Sequence, residues 1–106
     1  MAYSIQITLP ARRDAQEYAA FIRNEQQSPA AARRWLDGLY TAIQNLTEAP
    51  HRFAVIPEAA ELGFPYRSFV YHSHRVIYAV HDDDGRVVVH RIYHGARKPL
   101  IEKDIQ

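Results

Sequence analysis

Apolar and polar residues alternate strictly through Tyr3-Ser4-Ile5-Gln6-Ile7-Thr8-Leu9. A period of two puts every second side chain on one face, which predicts a strand with one buried side. Pro10 ends it, since proline removes a ladder donor yet is tolerated in a first helical turn. From Ala11 the period lengthens. Ala11, Ala15, Tyr18, Ala19 and Ile22 fall at helical spacing, with Arg12, Arg13, Glu17 and Arg23 mainly off that stripe. The pattern lapses over Asn24 to Gln27 and restarts at Ser28-Pro29. Serine suits the N-cap and proline the first helical position. Ala32, Trp35, Leu39, Ala42, Ile43 and Leu46 form a second stripe. Ala49-Pro50 closes it, because a residue preceding proline is pushed out of the α region.

Two helices with a short connection predict an antiparallel αα-hairpin. Neither can bury its stripe alone, so both should pack on one face of a sheet or on each other, with Trp35 filling the junction. His51 to Gly63 holds Phe53, Val55, Ile56 and Leu62 without a steady period and reads as a surface connection with a few apolar anchors. Tyr66 to Tyr71 is the next strand candidate. Arg75 to His81 and Arg86 to His94 are rich in Val, Ile and Tyr, which suit a pleated, half-buried surface. Asp82-Asp83-Asp84-Gly85 between them is a hairpin signal. A two-residue Asp84-Gly85 turn and a longer loop pair different residues, and a slip of one residue would swap faces. Lys98 to Gln106 is mostly polar, with Leu100 and Ile101 included, and reads as loosely held. The expectation is one α+β domain over residues 1–106: a strand, an αα-hairpin, then a three-stranded antiparallel meander.

A chain of 106 residues has room for one core, and its 47% hydrophobic content with only four glycines argues for a compact domain. The absence of cysteine excludes disulfides, thiolate chemistry and Cys-based metal sites. Apolar runs such as Val87-Val88-Val89 fall far short of the roughly 20 residues of a membrane helix. Met1 leads into a strand without a signal-peptide pattern, so a cytoplasmic protein with no membrane partner is expected. The net charge of +1 says little, but its distribution says more. Residues 1–50 carry five Arg against five acidic residues, whereas residues 66–98 carry five Arg and one Lys against three Asp, all in the hairpin turn. Five of the six histidines fall in that second window. This is the footprint of a phosphate or an acidic partner, or else simply arginine on the wet face of a sheet.

Several chemistries can be weighed from spacing. His72, His74, His90 and His94 could share a strand face, but no zinc spacing is met, and neither a metal nor a cofactor is expected. No serine sits in a nucleophile elbow, Gly95 stands without a phosphate loop, and Asp82 to Asp84 are explained by turn chemistry. What remains is an arginine–histidine set around the hairpin: Arg67, Arg75, His81, His90, Arg91, His94 and Arg97. Arginine suits planar recognition of phosphate or carboxylate, and histidine moves protons near neutral pH. Such a set could cleave an RNA phosphodiester, dock an acidic peptide, or be exposed strand residues, and spacing leaves all three open.

The order of elements, the strand Arg75-Val76-Ile77-Tyr78, the ending Ile92-Tyr93-His94-Gly95-Ala96-Arg97 and the close of the second helix at Leu46-x-x-x-Pro50 resemble the RelE/ParE superfamily. These are the toxin halves of type II toxin–antitoxin (plasmid-stabilisation) modules, and the resemblance runs from the first strand through Arg97. It implies a small toxin held inactive in a hetero-oligomer by a cognate antitoxin that wraps a flexible segment over it. RelE-like members are ribosome-dependent mRNA endonucleases with basic residues on the sheet and a general acid or base near the C-terminus. ParE-like members poison DNA gyrase and lack that set. By position, Arg75 and Arg97 match arginines of the RNA-cleaving members, and Arg67 and His94 could stand in for missing groups. Tyr66, Arg67 and Ser68 stand where those members often carry lysines, and Lys98-Pro99-Leu100-Ile101 where they carry a catalytic tyrosine. These departures favour the ParE-like side. Arg67, Arg75, Arg91 and Arg97 are then expected to bind the antitoxin, while Arg67, Arg75, His94 and Arg97 are the catalytic candidates if the RNase reading holds. A relative that has lost toxicity and acts only as a binding partner is the third alternative.

Overall fold

The computed structural model describes residues 2–95 and 100–105. Strand β1 (Ser4–Ile7) leads into helix α1 (Leu9–Glu25), and α2 (Pro29–Gln44) returns against it. Short 3-10 turns and the one-turn helix α3 (Ala59–Leu62) then lead to strands β2 (Arg67–Tyr71), β3 (His74–His81) and β4 (Arg86–His94). A final turn, α4 (Glu102–Ile105), follows. Both long helices begin as the capping residues dictate: Thr8 Oγ1 accepts from Ala11 N–H at 3.2 Å and Ser28 Oγ from Ala31 N–H at 3.1 Å. The first helix starts two residues earlier than the periodicity suggested, because Thr8 caps it and Pro10 fits its first turn.

The meander is present, and β1 completes a four-stranded sheet in the order β1-β4-β3-β2. Its first strand runs parallel to β4, with Ser4 opposite Arg86 and Ile7 opposite Val89. His81 pairs with Arg86, so the whole Asp82–Gly85 segment forms the turn, with Gly85 at φ 60° where a side chain would be strained. Between β3 and β4 the register shifts: Ile77 faces Arg91 while Tyr78 faces Val89. His90 is the extra residue of a bulge, and this puts Val89 and Ile92 on the same face although they are three apart.

Both helices cover one face of the sheet. Ala15, Trp35, Leu39 and Ile43 pack there against Phe69, Val76, Tyr78, Val87 and Ile92. Trp35 sits at the junction as expected, 9% exposed, its ring against Tyr18, Tyr71 and His74. The opposite face carries a smaller core of Ile77 and Tyr93, closed by Ile56 and Ala59 from the connection and by Leu100. Leu100 is 4% exposed, so the C-terminal stretch is not loosely held at that point. Leu100 and Ile101 are adjacent in a short, otherwise mostly polar stretch and carry no periodicity, which is why the docking of Leu100 was not evident from sequence.

Beyond Val89, β4 has no strand on its β1 side among the described residues. Helix α1 meets that open edge. The Thr8 hydroxyl donates to His90 O at 2.9 Å, and Ile92 N–H donates to Asp14 Oδ2 at 2.9 Å. No described helix is long and apolar enough to cross a membrane.

Candidate functional site

The described arginines of the hairpin half are each held by internal partners. Arg67, on the helix-covered side of β2, donates through Nη1 to the carbonyl oxygens of His51 at 3.1 Å and Phe53 at 2.6 Å, pinning the connection. Arg75 projects to the opposite side and donates to both Glu58 oxygens at 3.0 and 3.3 Å. Glu58 also accepts Leu100 N–H at 3.1 Å. The Arg75 hydrogen bonds, opposed by partial burial and helped by the Leu100 amide, hold the Glu58 carboxyl at about 2, well below its ordinary 4.5. Arg91 grips Asp14 through two bonds of 2.8 and 2.9 Å, donates to Asp104 O at 3.0 Å and lies 4.5 Å over the Tyr93 ring. Its guanidinium is thereby held more firmly protonated, chiefly by Asp14. Arg67, Arg75 and Arg91, expected to bind the antitoxin, thus already have partners within the chain. Arg97, the fourth candidate, lies outside the described residues.

His94 is exposed at the end of β4, on the helix-covered side, its ring 5.2 Å from that of its cross-strand partner His74. Arg67 and His94 therefore share one side of the sheet and Arg75 the other. The structure does not bring the catalytic candidates Arg67, Arg75 and His94 to one point. The acidic turn is tied down as well: Asp82 accepts the Tyr3 hydroxyl at 2.7 Å and meets His51 Nε2 at 3.1 Å, and Asp84 pairs with Arg86 at 3.1 Å. No group of three or more His, Asp or Glu suited to a metal ion occurs among the described residues.

Besides the cleft of about 760 Å³ that Arg75 and Glu58 help to line, a second concavity lies between α1 and the C-terminal half of β4. It is a cleft of about 420 Å³ lined by Asp14, Glu17, Tyr18 and Phe21 from the helix and by His74, Ile92, Tyr93 and His94 from the sheet. His74 forms its floor. It is only 3% exposed, with its ring 4.2 Å from Tyr18 and 5.2 Å from Trp35, and its buried Nδ1 has no hydrogen-bond partner. Burial first, and then the neighbouring His94, push its pKa down against the pull of Asp14, so the ring is neutral at neutral pH. Phe21, 52% exposed, stacks on Tyr18 at the rim. Sequence reading passed over this cleft, although positions 14, 17, 18 and 21 share a helical face and signalled it.

The family described as "ParE toxin of type II toxin-antitoxin system, parDE" matches residues 5–99. Among solved structures, a chain of the chromosomal ParDE toxin–antitoxin system from P. aeruginosa aligns with a TM-score of 0.69 at 13% identity, covering 88% of this chain and 96% of that one. A chain of the toxin–antitoxin complex RelBE2 from Mycobacterium tuberculosis aligns with a TM-score of 0.56 at 21% identity, covering 89% and 99%. At these identities the structural likeness speaks for the fold. No curated protein matches significantly.

Proposed function

The chain belongs to the ParE toxin family of type II toxin–antitoxin systems, and from that premise we propose that it poisons DNA gyrase in the cytoplasm and is neutralised by a cognate antitoxin, stabilising the replicon that encodes the pair. The observation that carries this reading against the RNase alternative is the state of the sheet face bearing Arg75. Leu100, Ile56 and Ala59 cover its apolar residues Ile77 and Tyr93, and Arg75, at the wall of the neighbouring cleft, is neutralised by Glu58. Cleaving RNA through its 2′-hydroxyl needs positive charge on the phosphate and a positioned acid and base, which typically contribute about 10²–10⁴-fold. Arginine is a poor proton donor because its pKa exceeds about 12. His94, the remaining proton carrier among the candidates, stands on the other side of the sheet from Arg75.

Induced expression with microscopy, message analysis and a supercoiling assay on purified gyrase tests the proposal. The expected result is filamentation with DNA damage, intact messages and inhibited supercoiling, unchanged by His94→Gln. Prompt translation arrest with cut messages that disappears in His94→Gln would instead establish the RNase. Antitoxin binding without growth arrest would mark a relative that only binds.

A further inference from the structure

We infer that the cleft between α1 and the C-terminal half of β4 is a socket for a basic side chain, an arginine or lysine, presented by the antitoxin segment. The inference rests on the antitoxin reading above and names the chemistry by which the partner is held. It reverses the polarity expected from sequence, in which the toxin supplied the arginines and the partner the acids.

Three features of the cleft agree. Charge is the first. Glu17 is exposed at the rim with no hydrogen bond or ion pair among the described residues, Asp14 lies beside it gripped by Arg91, and His74 is neutral. The mouth therefore offers the Glu17 carboxylate, with His94 the other exposed titratable group of the lining, while Arg67, Arg75 and Arg91 are occupied. Shape is the second. Tyr18 and the half-exposed Phe21 stack at 5.5 Å and present aromatic surface to the long aliphatic stem and the charged head of such a side chain. The third is the floor. His74 is buried with an unpartnered ring nitrogen, a polar group that protein interiors rarely leave unsatisfied. A ligand polar group reaching the floor would relieve this, after a small shift of the ring. A phosphate or an acidic side chain would meet Glu17 instead and be repelled.

Two measurements separate this inference from the reading beneath it. In the first, the full chain is titrated with three blocked tripeptides, Leu-X-Leu with X as arginine, its uncharged isostere citrulline, or glutamate, and followed by amide and aromatic NMR shifts. The arginine peptide should perturb Tyr18, Phe21 and His74 with affinity on the order of millimolar. Citrulline and the variant Glu17→Gln should each weaken binding roughly threefold or more. Equal binding of citrulline, preference for glutamate, or shifts confined to other surfaces would overturn the socket. In the second, the product of the adjacent reading frame is bound to the wild type, Glu17→Gln and Phe21→Ala. Both positions are exposed, so the fold should survive. Weakening in both variants supports the socket. A complex of unchanged affinity overturns it while leaving the antitoxin reading intact, whereas no complex with any of the three removes the antitoxin reading and leaves the peptide titration to decide the socket.

Discussion

Replacing Glu58 by Gln removes one charge from the second face of the sheet while keeping the shape of the side chain. In the folded protein that carboxylate receives two bonds from Arg75, at 3.0 and 3.3 Å, and one from Leu100 N–H at 3.1 Å. Its pKa is drawn from 4.5 to about 2. At about 1.4 kcal/mol per pKa unit, the fold prefers the charged form by roughly 3 kcal/mol at full strength. Water reaches the pair, since the Arg75 side chain is 27% exposed, and screening reduces the expected contribution to about 1–2 kcal/mol. The folded pKa lies below the unfolded one, so this stability is complete above 4.5 and is lost as the pH falls toward about 2. Urea unfolding of the wild type and Glu58→Gln should therefore show a gap of about 1–2 kcal/mol at neutral pH that narrows steadily below pH 4.5. Amide exchange at Leu100 should accelerate in the variant. A gap within error at neutral pH, or one that fails to narrow in acid, would refute the claim that Glu58 fastens the C-terminal stretch electrostatically.

Trp35→Ala should cost about 3–5 kcal/mol in the denaturation midpoint, because the ring fills the helix–sheet junction; a midpoint equal to the wild type would place Trp35 outside the core. Gly38→Ala should destabilise by about 1–2 kcal/mol, since the new methyl would meet the Tyr71 hydroxyl, which donates to Trp35 O at 2.9 Å; adding Tyr71→Phe, which removes that hydroxyl, should recover part of the loss. His74 and His90 both have pKa values depressed chiefly by burial, so their contribution is complete above their ordinary 6.5 and falls as the unfolded chain takes up protons below it. Unfolding titrations should show stability declining from pH 6.5 downward, less steeply in a double variant carrying His74→Phe and His90→Phe, and a parallel decline in both proteins would contradict this.

Local chemistry made much of the architecture legible. The period of two in β1, the Ser28-Pro29 start of α2 and the Asp-rich turn of the hairpin each act over a few residues and appear where the pattern placed them. The order of strands does not act locally. A parallel pairing of Ser4 with Arg86 needs no turn and leaves no mark near either residue. The bulge at His90 is equally silent, yet it decides which neighbours of Ile92 face the helices. The internal partners of the site arginines were hidden for a related reason. Arg75 and Arg91 look free until Glu58 and Asp14 arrive from 17 and 77 residues away. Once they arrive, the basic surface expected on the hairpin is largely cancelled, and the acid–aromatic cleft on α1 becomes the more distinctive feature.

Pairing the first strand with the last also imposes an order of events on the nascent chain. The helical hairpin leaves the ribosome with its apolar stripes finished but with nothing to cover them. The strand that holds β1 in place is still unmade, and the Thr8–His90 contact that seats α1 spans 82 residues. Contacts of that separation form late and slowly. Until β4 emerges, the nascent chain is an adhesive helical pair in need of a sheet, open to capture by any binding segment already waiting beside the ribosome.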